Sequence, residues 1–465
     1  MAIIAALAGG CTVGPDYQRP EAAVPAQWSL GPRPAADLSQ TAAEEKLARW
    51  WTVFGDPTLS SLTQRAAAAN LDLKLAEARI RQARAAAAVA GADLGPTLDA
   101  SGSYRRSHST NTAGGQSSSV TSEQYQAGFD AGWEIDIFGG RRRNVEAARA
   151  DLQAAEESRR DVLVSLMAEV ARDYIQLRGY QQQIAITRKN LAAQQHSARL
   201  TRERFEGGFV SGLDVANAEA QAATTAARIP LIESSARQTI YSLSILLGKP
   251  PTALETELSP VGAIPNAPPE VPLGLPSDLL RRRPDIRQAE AGIHAATARI
   301  GVATADLFPK FTITGSVGYQ SDDPGTFFDG SFWSLGPGAL WHLFASGSLR
   351  AGVEVQKALQ EQEVILYRQT VLGALQEVEN ALVASSKEHA HRQALAAAVT
   401  ANRRAVDLAE KLYTEGLTDF INVLQAEQAL FSTEDALVQS TTVVSTNLVA
   451  LYKALGGGWA AEAPE

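Results

Sequence analysis

Six histidines (His108, His196, His294, His342, His389 and His391) and one cysteine (Cys11) are the side chains of this 465-residue chain best suited to hold a metal or act as a nucleophile. A structural zinc site needs about four such ligands brought together at short spacings. Only His389 and His391 are close, and residues two apart on a helix do not face each other. There is no His-Glu-x-x-His pair, phosphate-binding glycine loop or dinucleotide fingerprint, so no metal, no cofactor and no catalysis are expected. The adjacent acids Glu156 and Glu157 read as a solvated helix face. A net charge of −9 comes without clustered Lys and Arg, which excludes a nucleic-acid partner.

Cys11 offers a different chemistry. Residues 1–10 are apolar and end in small residues, the pattern of a secretory signal whose cysteine is acylated, so residues 1–56 read as signal remnant, lipidation site and tail. An acyl chain adds ~0.8 kcal/mol of membrane affinity per buried CH₂. One cysteine excludes a disulfide framework within the chain. Two methionines, a mean hydropathy of −0.12 and the absence of an uncharged apolar run of about 20 residues argue against a spanning helix.

The elements that would position any site come from a duplication. Phe205-Glu-Gly-Gly-Phe-Val-Ser-Gly-Leu-Asp-Val-Ala-Asn-Ala-Glu219 recurs as Tyr413-Thr-Glu-Gly-Leu-Thr-Asp-Phe-Ile-Asn-Val-Leu-Gln-Ala-Glu427, 208 positions later. Val89-Ala-Gly-Ala-Asp-Leu-Gly-Pro96 likewise matches Val302-Ala-Thr-Ala-Asp-Leu-Phe-Pro309. The chain therefore divides into a first repeat at 57–250, a second at 277–457 and a C-terminal tail at 458–465. Residues 251–276 form a proline-rich, extended linker between the repeats.

Each copy reads helix, strand, loop, strand, very long helix, turn, helix. Residues 141–206 and about 346–415 lack proline, and 66 helical residues extend ~99 Å, so a neighbour must run beside them. Leu163, Val170, Leu177, Ile184, Leu191, Ala198 and Phe205 form one heptad column. Val371, Val378, Ser385, Arg392, Val399, Val406 and Tyr413 form the other. The last helix carries two adjacent columns, through Val423 and through Leu424, which suits a helix touching two neighbours in a tube more than a two-stranded seam; a solid antiparallel bundle is the alternative.

Phe311, Ile313, Val317 and Tyr319 alternate with polar or small residues, as do Phe129, Ala131, Trp133 and Ile135, giving sheets with one wet and one apolar face. Residues 105–123 and about 321–331 are rich in Ser, Thr, Asn, Asp and Gly and read as long loops. Four strands cannot close a membrane barrel, because open edges in lipid leave backbone groups unsatisfied. Several chains must share one, and helices continuing from its strands would make a conduit.

With these elements the chain resembles the TolC family of outer-membrane efflux proteins, in its NodT/OprM-like lipoprotein branch. The resemblance rests on Cys11-Thr-Val-Gly-Pro-Asp-Tyr-Gln-Arg-Pro20, Trp50-Trp51-Thr-Val-Phe-Gly-Asp56, Gly212-Leu-Asp-Val215, Leu246-Leu-Gly-Lys-Pro-Pro251, Leu279-Leu-Arg-Arg-Arg-Pro-Asp-Ile286, Leu307-Phe-Pro309 and Leu451-Tyr-Lys-Ala-Leu-Gly-Gly-Gly-Trp459. It implies a mainly α chain with a membrane β part: a homotrimer whose coiled-coil helices form an α-barrel continuous with a shared barrel of 12 strands. It implies passive export of small molecules across the envelope, with a periplasmic adaptor, an inner-membrane transporter and outer-membrane lipid as partners. The repeated motifs become the periplasmic tips, with Phe205, Gly208, Phe209, Tyr413, Gly416 and Leu417 as turn and docking residues. The family's acidic aperture position is Gln425 here, with Asn422 three residues before it. Ile421 and the nearby carboxylates Asp214 and Asp419 complete the aperture candidates. Asp214 and Asn422 also stand where an acceptor side chain can pair with free N–H groups of the returning helices. Two further readings stay open at this point: an exit duct for secreted polypeptides, and a periplasmic coiled-coil protein that never enters the membrane.

Overall fold

The computed structural model describes residues 12–29, 47–113, 116–266 and 274–459. Cys11 and the C-terminal residues 460–465 lie outside them. The element order is α1 (Pro57–Ala69), α2 (Leu71–Ala92), β1 (Thr97–Ala113), β2 (Gln116–Ile135), α3 (Gly140–Glu206), α4 (Gly212–Leu246), α5 (Glu255–Leu258), α6 (Leu279–Arg282), α7 (Pro284–Ala305), β3 (Lys310–Ser321), β4 (Ser331–Leu340), α8 (Ser348–Thr414) and α9 (Phe420–Ala454). The bounds of α8 and α9 fall 208 positions after those of α3 and α4, so the duplication is kept to the residue. The chain forms two compact units, each drawn from both repeats: 1–21, 78–156 and 288–369, and 22–77, 157–287 and 370–465.

The first unit holds one antiparallel sheet in the order β1-β2-β3-β4. Its register sorts side chains by face. Ala100, Phe129, Val317 and Trp333 stand in one row, and Leu98, Ala131, Gly315 and Leu335 in the next. The opposite face carries Asp99, Asp130, Ser316 and Ser334, joined by bonds from Ser101 to Asp130 (2.8 Å) and between Ser316 and Ser334 (2.7 Å). Trp333 and Leu335 are 79% and 72% exposed, so no part of the described chain covers the apolar face. Tyr104 and Tyr125 pack together at one end of that face. At the other, Trp133 and Trp341 donate to the carbonyls of Leu94 (2.9 Å) and Leu307 (3.1 Å), beside the stacked Phe138 and Phe308. Tyr125 and Trp133 are eight positions apart on β2, ~27 Å along the strand. Among the described residues no helix is long and apolar enough to cross a membrane.

The segment 105–123, expected as a loop, is instead mostly ladder: Arg105 pairs with Gln124, and the register continues to Ala113 opposite Gln116. Its Ser and Thr residues suppress the hydrophobic signal while remaining compatible with strand, so polarity here marks a wet sheet and not a loop. The second hairpin turns where expected, through a short 3₁₀ segment at Pro324–Asp329.

A strap precedes the first helix in this unit. Val13 N–H bonds Phe138 O (3.0 Å), Arg143 reaches Asp16 (2.6 Å), and Tyr17 stacks on His294 while donating to Glu290 (3.1 Å). Thr12 thus lies at the foot of β2, one residue from the Phe138–Phe308 pair.

In the second unit the core centres on Trp50, fully buried and stacked on Tyr452 at 5.3 Å, with Tyr174 donating to Asp56 (2.8 Å). A Cβ at Gly179 would lie 2.5 Å from Thr442 Oγ1, so the glycine is what lets α3 and α9 approach. The Arg-Arg-Arg-Pro-Asp motif also has a structural use: Arg283 bonds Glu377 of α8 and the terminal carbonyl of Ala454 on α9. The described part of the linker is docked more closely than an extended linker would be. Leu254 and Leu258 are buried, and Gln181 and Arg178 of α3 donate to Leu258 O and Pro260 O. The paired acids also differ from expectation. Glu157 is 1% exposed, held by Arg160 and Arg287 at 2.6 Å each, because α7 brings a guanidinium that local sequence does not announce.

The heptad columns fare unequally. In α8, Val371, Val378, Val399, Val406 and Tyr413 are buried. In α3, Val170 and Leu177 are buried, but Leu163, Ile184, Leu191 and Ala198 are only half-buried and Phe205 is exposed; the buried positions toward the turn are Thr187, Gln194 and Thr201. The contact stripe has shifted three positions, about 60° around the helix. Thr187 and Thr201 each bond the carbonyl four residues back (2.7 and 2.8 Å), so a polar stripe can be buried with its hydroxyls satisfied.

Candidate functional site

The candidate site is the pair of helical turns in the second unit. Both close the same way. Gly208 has φ +77°, with Gly208 N–H bonding Phe205 O and Phe209 N–H bonding Arg204 O (both 2.9 Å). Gly416 has φ +76°, with Gly416 N–H bonding Tyr413 O (3.0 Å) and Leu417 N–H bonding Leu412 O (2.8 Å). This is the left-handed glycine cap that satisfies the last free carbonyls of a helix. A Cβ at either glycine would meet nothing within 4 Å, so the requirement is conformational alone.

The returning helices start differently. Ser211 caps α4 in a box with Asp214: Ser211 Oγ accepts from Asp214 N–H (3.4 Å), and Ser211 N–H and Oγ–H donate to Asp214 Oδ2 (3.1 and 2.9 Å). The Asp214 carboxylate is thereby committed to the turn. In the second copy Asp419 is the cap residue and makes no side-chain cap bond. Asn422 is found as a donor in place of the expected acceptor: its amide Nδ2 donates to Thr418 Oγ1 (2.7 Å).

The two turns meet in a small core of Ala218, Tyr413, Phe420, Val423 and Leu424. Arg204 lies over the Tyr413 ring at 4.5 Å and donates to Tyr413 O (2.6 Å). Outside this core, Phe209 (77% exposed) and Leu417 (69%) project from the tips, with Leu213 and Ile421 one turn on. Gln425 is exposed, three positions from the exposed Asn422. The structure thus brings Tyr413 into the core and leaves Phe205, Phe209, Leu417, Ile421, Asn422 and Gln425 on the surface.

Behind the tip, Glu427 is buried and accepts from Ser197 (2.6 Å). Burial, helped by the nearby Glu410 and opposed by the Ser197 bond, pushes its carboxyl above the usual range. Ser211 and Glu427 lie within the repeated motifs expected at the tips but carry no expected role of their own, and Arg204 stands one residue before the first motif. The Ser-Gly-Leu-Asp spacing of a capping box was the one available signal among them. Of the histidines, His294 contacts Glu146 (3.0 Å) and His391 contacts Glu388 (3.1 Å). Among the described residues no three His, Cys, Asp or Glu are grouped to hold a metal.

A family model described as "Outer membrane efflux protein" matches residues 62–249 and 275–457. The chain is 35% identical over 465 residues to the pyoverdine export outer membrane protein OpmQ of Pseudomonas aeruginosa, covering 97% of this chain and 95% of that one. It is also 35% identical over 465 residues to the toluene efflux pump outer membrane protein TtgC of Pseudomonas putida, covering 99% and 95%. The solved structure of the outer-membrane channel OprN superposes with a TM-score of 0.90 at 37% identity, covering 97% of this chain and all of that one. The two family matches fall on the two repeats, and the fold is that of the TolC-like channels. The chain therefore belongs to the outer membrane efflux protein family, of the NodT/OprM kind, and its place is the bacterial outer membrane.

Proposed function

We propose that three copies of this outer-membrane efflux channel close one barrel of 12 strands, with the long helices extending as a tunnel into the periplasm. The observation that carries this reading is the four-stranded sheet: one face apolar and uncovered, the other polar, and both edges, β1 and β4, without a partner strand among the described residues. In lipid such edges cost several kcal/mol per unpaired backbone group, and closure with further copies removes the cost. The polar face then lines the conduit.

The exposed apolar tips, Phe209 with Leu213 and Leu417 with Ile421, are the surface on which a periplasmic adaptor docks, joining the channel to an inner-membrane transporter. Gln425 and Asn422 are the aperture candidates on the surface of the returning helix, and Asp214, bound into its cap, is a weaker one. Cargo is small-molecule. Relatives of equal identity are named for pyoverdine and for toluene, so the transporter and adaptor select it. Cys11, outside the described residues, carries the lipid; its neighbour Thr12 is held by the strap at the aromatic foot of the sheet, which supports this reading.

Planar-bilayer conductance with the mass of the purified oligomer tests this. A conducting trimer is expected; a non-conducting monomer overturns the reading. Cys11→Ser is expected to abolish acyl labelling while conductance persists. Arginine at Gly208 or Gly416 is expected to impair export from cells while the trimer still assembles.

A further inference from the structure

Glu157, sealed from solvent, sits between Arg160 and Arg287, and the same two guanidiniums lie over the indole of Trp459 at 5.1 and 5.4 Å. Two arginines are thus fixed in place. Beside them opens a cavity of about 660 Å³ whose lining includes Arg49, Trp51, Gln64, Arg159, Arg160 and Trp459 and, among the described residues, contains no carboxylate. Arg159 is paired with Glu77 (3.0 Å), while Arg49 is exposed and has no carboxylate partner among the described residues. Among the described residues, Arg49 is thus the arginine of this corner whose charge no carboxylate meets. The Nε1 of Trp459 is buried without an acceptor.

We infer that this pocket binds an anionic glycan, the carboxylate-bearing polymer of the cell wall; the inference rests on the reading above, in which the helical unit stands in the periplasm. The volume falls within the roughly 300–1,000 Å³ that ligand sites occupy. A guanidinium fork takes a carboxylate by two parallel N–H bonds. The partly exposed Trp51, set edge-on against buried Trp50 at 6.0 Å, offers a flat apolar face for a sugar ring. Gln64 and Thr52 beside it can bond hydroxyl and acetamido groups. A small inorganic anion would use the arginines but leave Trp51 and Leu163 idle. Three such pockets on a trimer would act together on a repeating polymer, so weak single sites suffice to hold it.

Co-sedimentation of the detergent-purified trimer with isolated cell-wall sacculi tests the inference, with conductance recorded on the same preparations. Arg49→Glu, at an exposed residue with no carboxylate to lose among the described residues, is expected to reduce bound protein about tenfold, the size of one lost charge-assisted contact, and Trp51→Ala, which removes the apolar face, to reduce it by a similar factor. Soluble disaccharide-peptide fragments are expected to displace the protein at concentrations where inorganic phosphate of equal ionic strength does not. Unchanged sedimentation of both variants overturns the inference, as does equal displacement by phosphate, which marks a plain anion site. Normal conductance beside absent wall binding defeats the pocket alone. Absent conductance in the parent protein defeats the channel reading.

Discussion

Phe205 and Tyr413 end the two long helices at matched positions, yet Phe205 is 48% exposed while Tyr413, at 4%, is covered by Arg204 and packed against Phe420. The cause is visible one residue earlier. Arg204 of the first copy reaches across to the second, but its counterpart there is Leu412, which returns no such bond. Arg202 pairs with Glu219 in the first copy; in the second the same two positions are Glu410 and Glu427, both acidic, and Glu427 is buried on Ser197 instead. Duplication has thus preserved the bounds of the long and returning helices to the residue while matched positions diverged. The halves of the tip became complementary to each other and ceased to be interchangeable.

Cutting at the point of greatest difference gives the largest expected effect. Tyr413→Ala should destabilise the tip by ~3–5 kcal/mol, as loss of a buried aromatic does, whereas Phe205→Ala should cost under ~1 kcal/mol. Hydrogen exchange of the turn amides in the assembled protein reads both, and equal losses would mean that the halves are packed alike after all. Next come the features the halves share. Alanine at Gly208 or at Gly416 should cost ~1–2 kcal/mol in either copy, since the left-handed backbone alone opposes the new Cβ; an unequal pair in thermal denaturation would break the symmetry of the turns. The caps differ again: Ser211→Ala should cost ~1 kcal/mol, and Asp419→Ala nearly nothing, by the same exchange measurement. The smallest effect concerns pH. Glu427 has its carboxyl pushed up by burial and Glu410, so its protonated form favours the folded tip. That contribution is complete below the ordinary carboxylate range and is lost as pH rises through the shifted value. Glu427→Gln should therefore raise tip stability at neutral pH and flatten its pH dependence; a steeper profile would refute the assignment.

The elements, the duplication and the two glycine turns were legible because each is written in local pattern: absence of proline, period-two alternation, a repeated motif. What escaped depends on neighbours brought from afar. Thr187, Gln194 and Thr201 look like a surface stripe, and nothing in α3 itself says which face its partners cover. Glu157 reads as solvated until α7 supplies Arg287. The ladder at 105–123 was missed because a strand wet on both faces has no hydrophobic period. Among tip residues, Gly208 and Gly416 were read from conformation, whereas the role of Arg204 lies wholly in a contact between copies.

The strand order carries a consequence for how the molecule is made. β2 pairs with β3, which follows only after all of α3, α4, the linker and α7. Contacts so distant in sequence form slowly, even though closing the longer loop adds only about 0.6 kcal/mol per doubling. Until the second repeat arrives, β2 carries a bare inner edge that lipid does not tolerate. A chain stopped before Lys310 should therefore be unable to enter the membrane by itself, however well its helices fold. Biogenesis then waits on the second hairpin, since only β3 can cover the inner edge of β2.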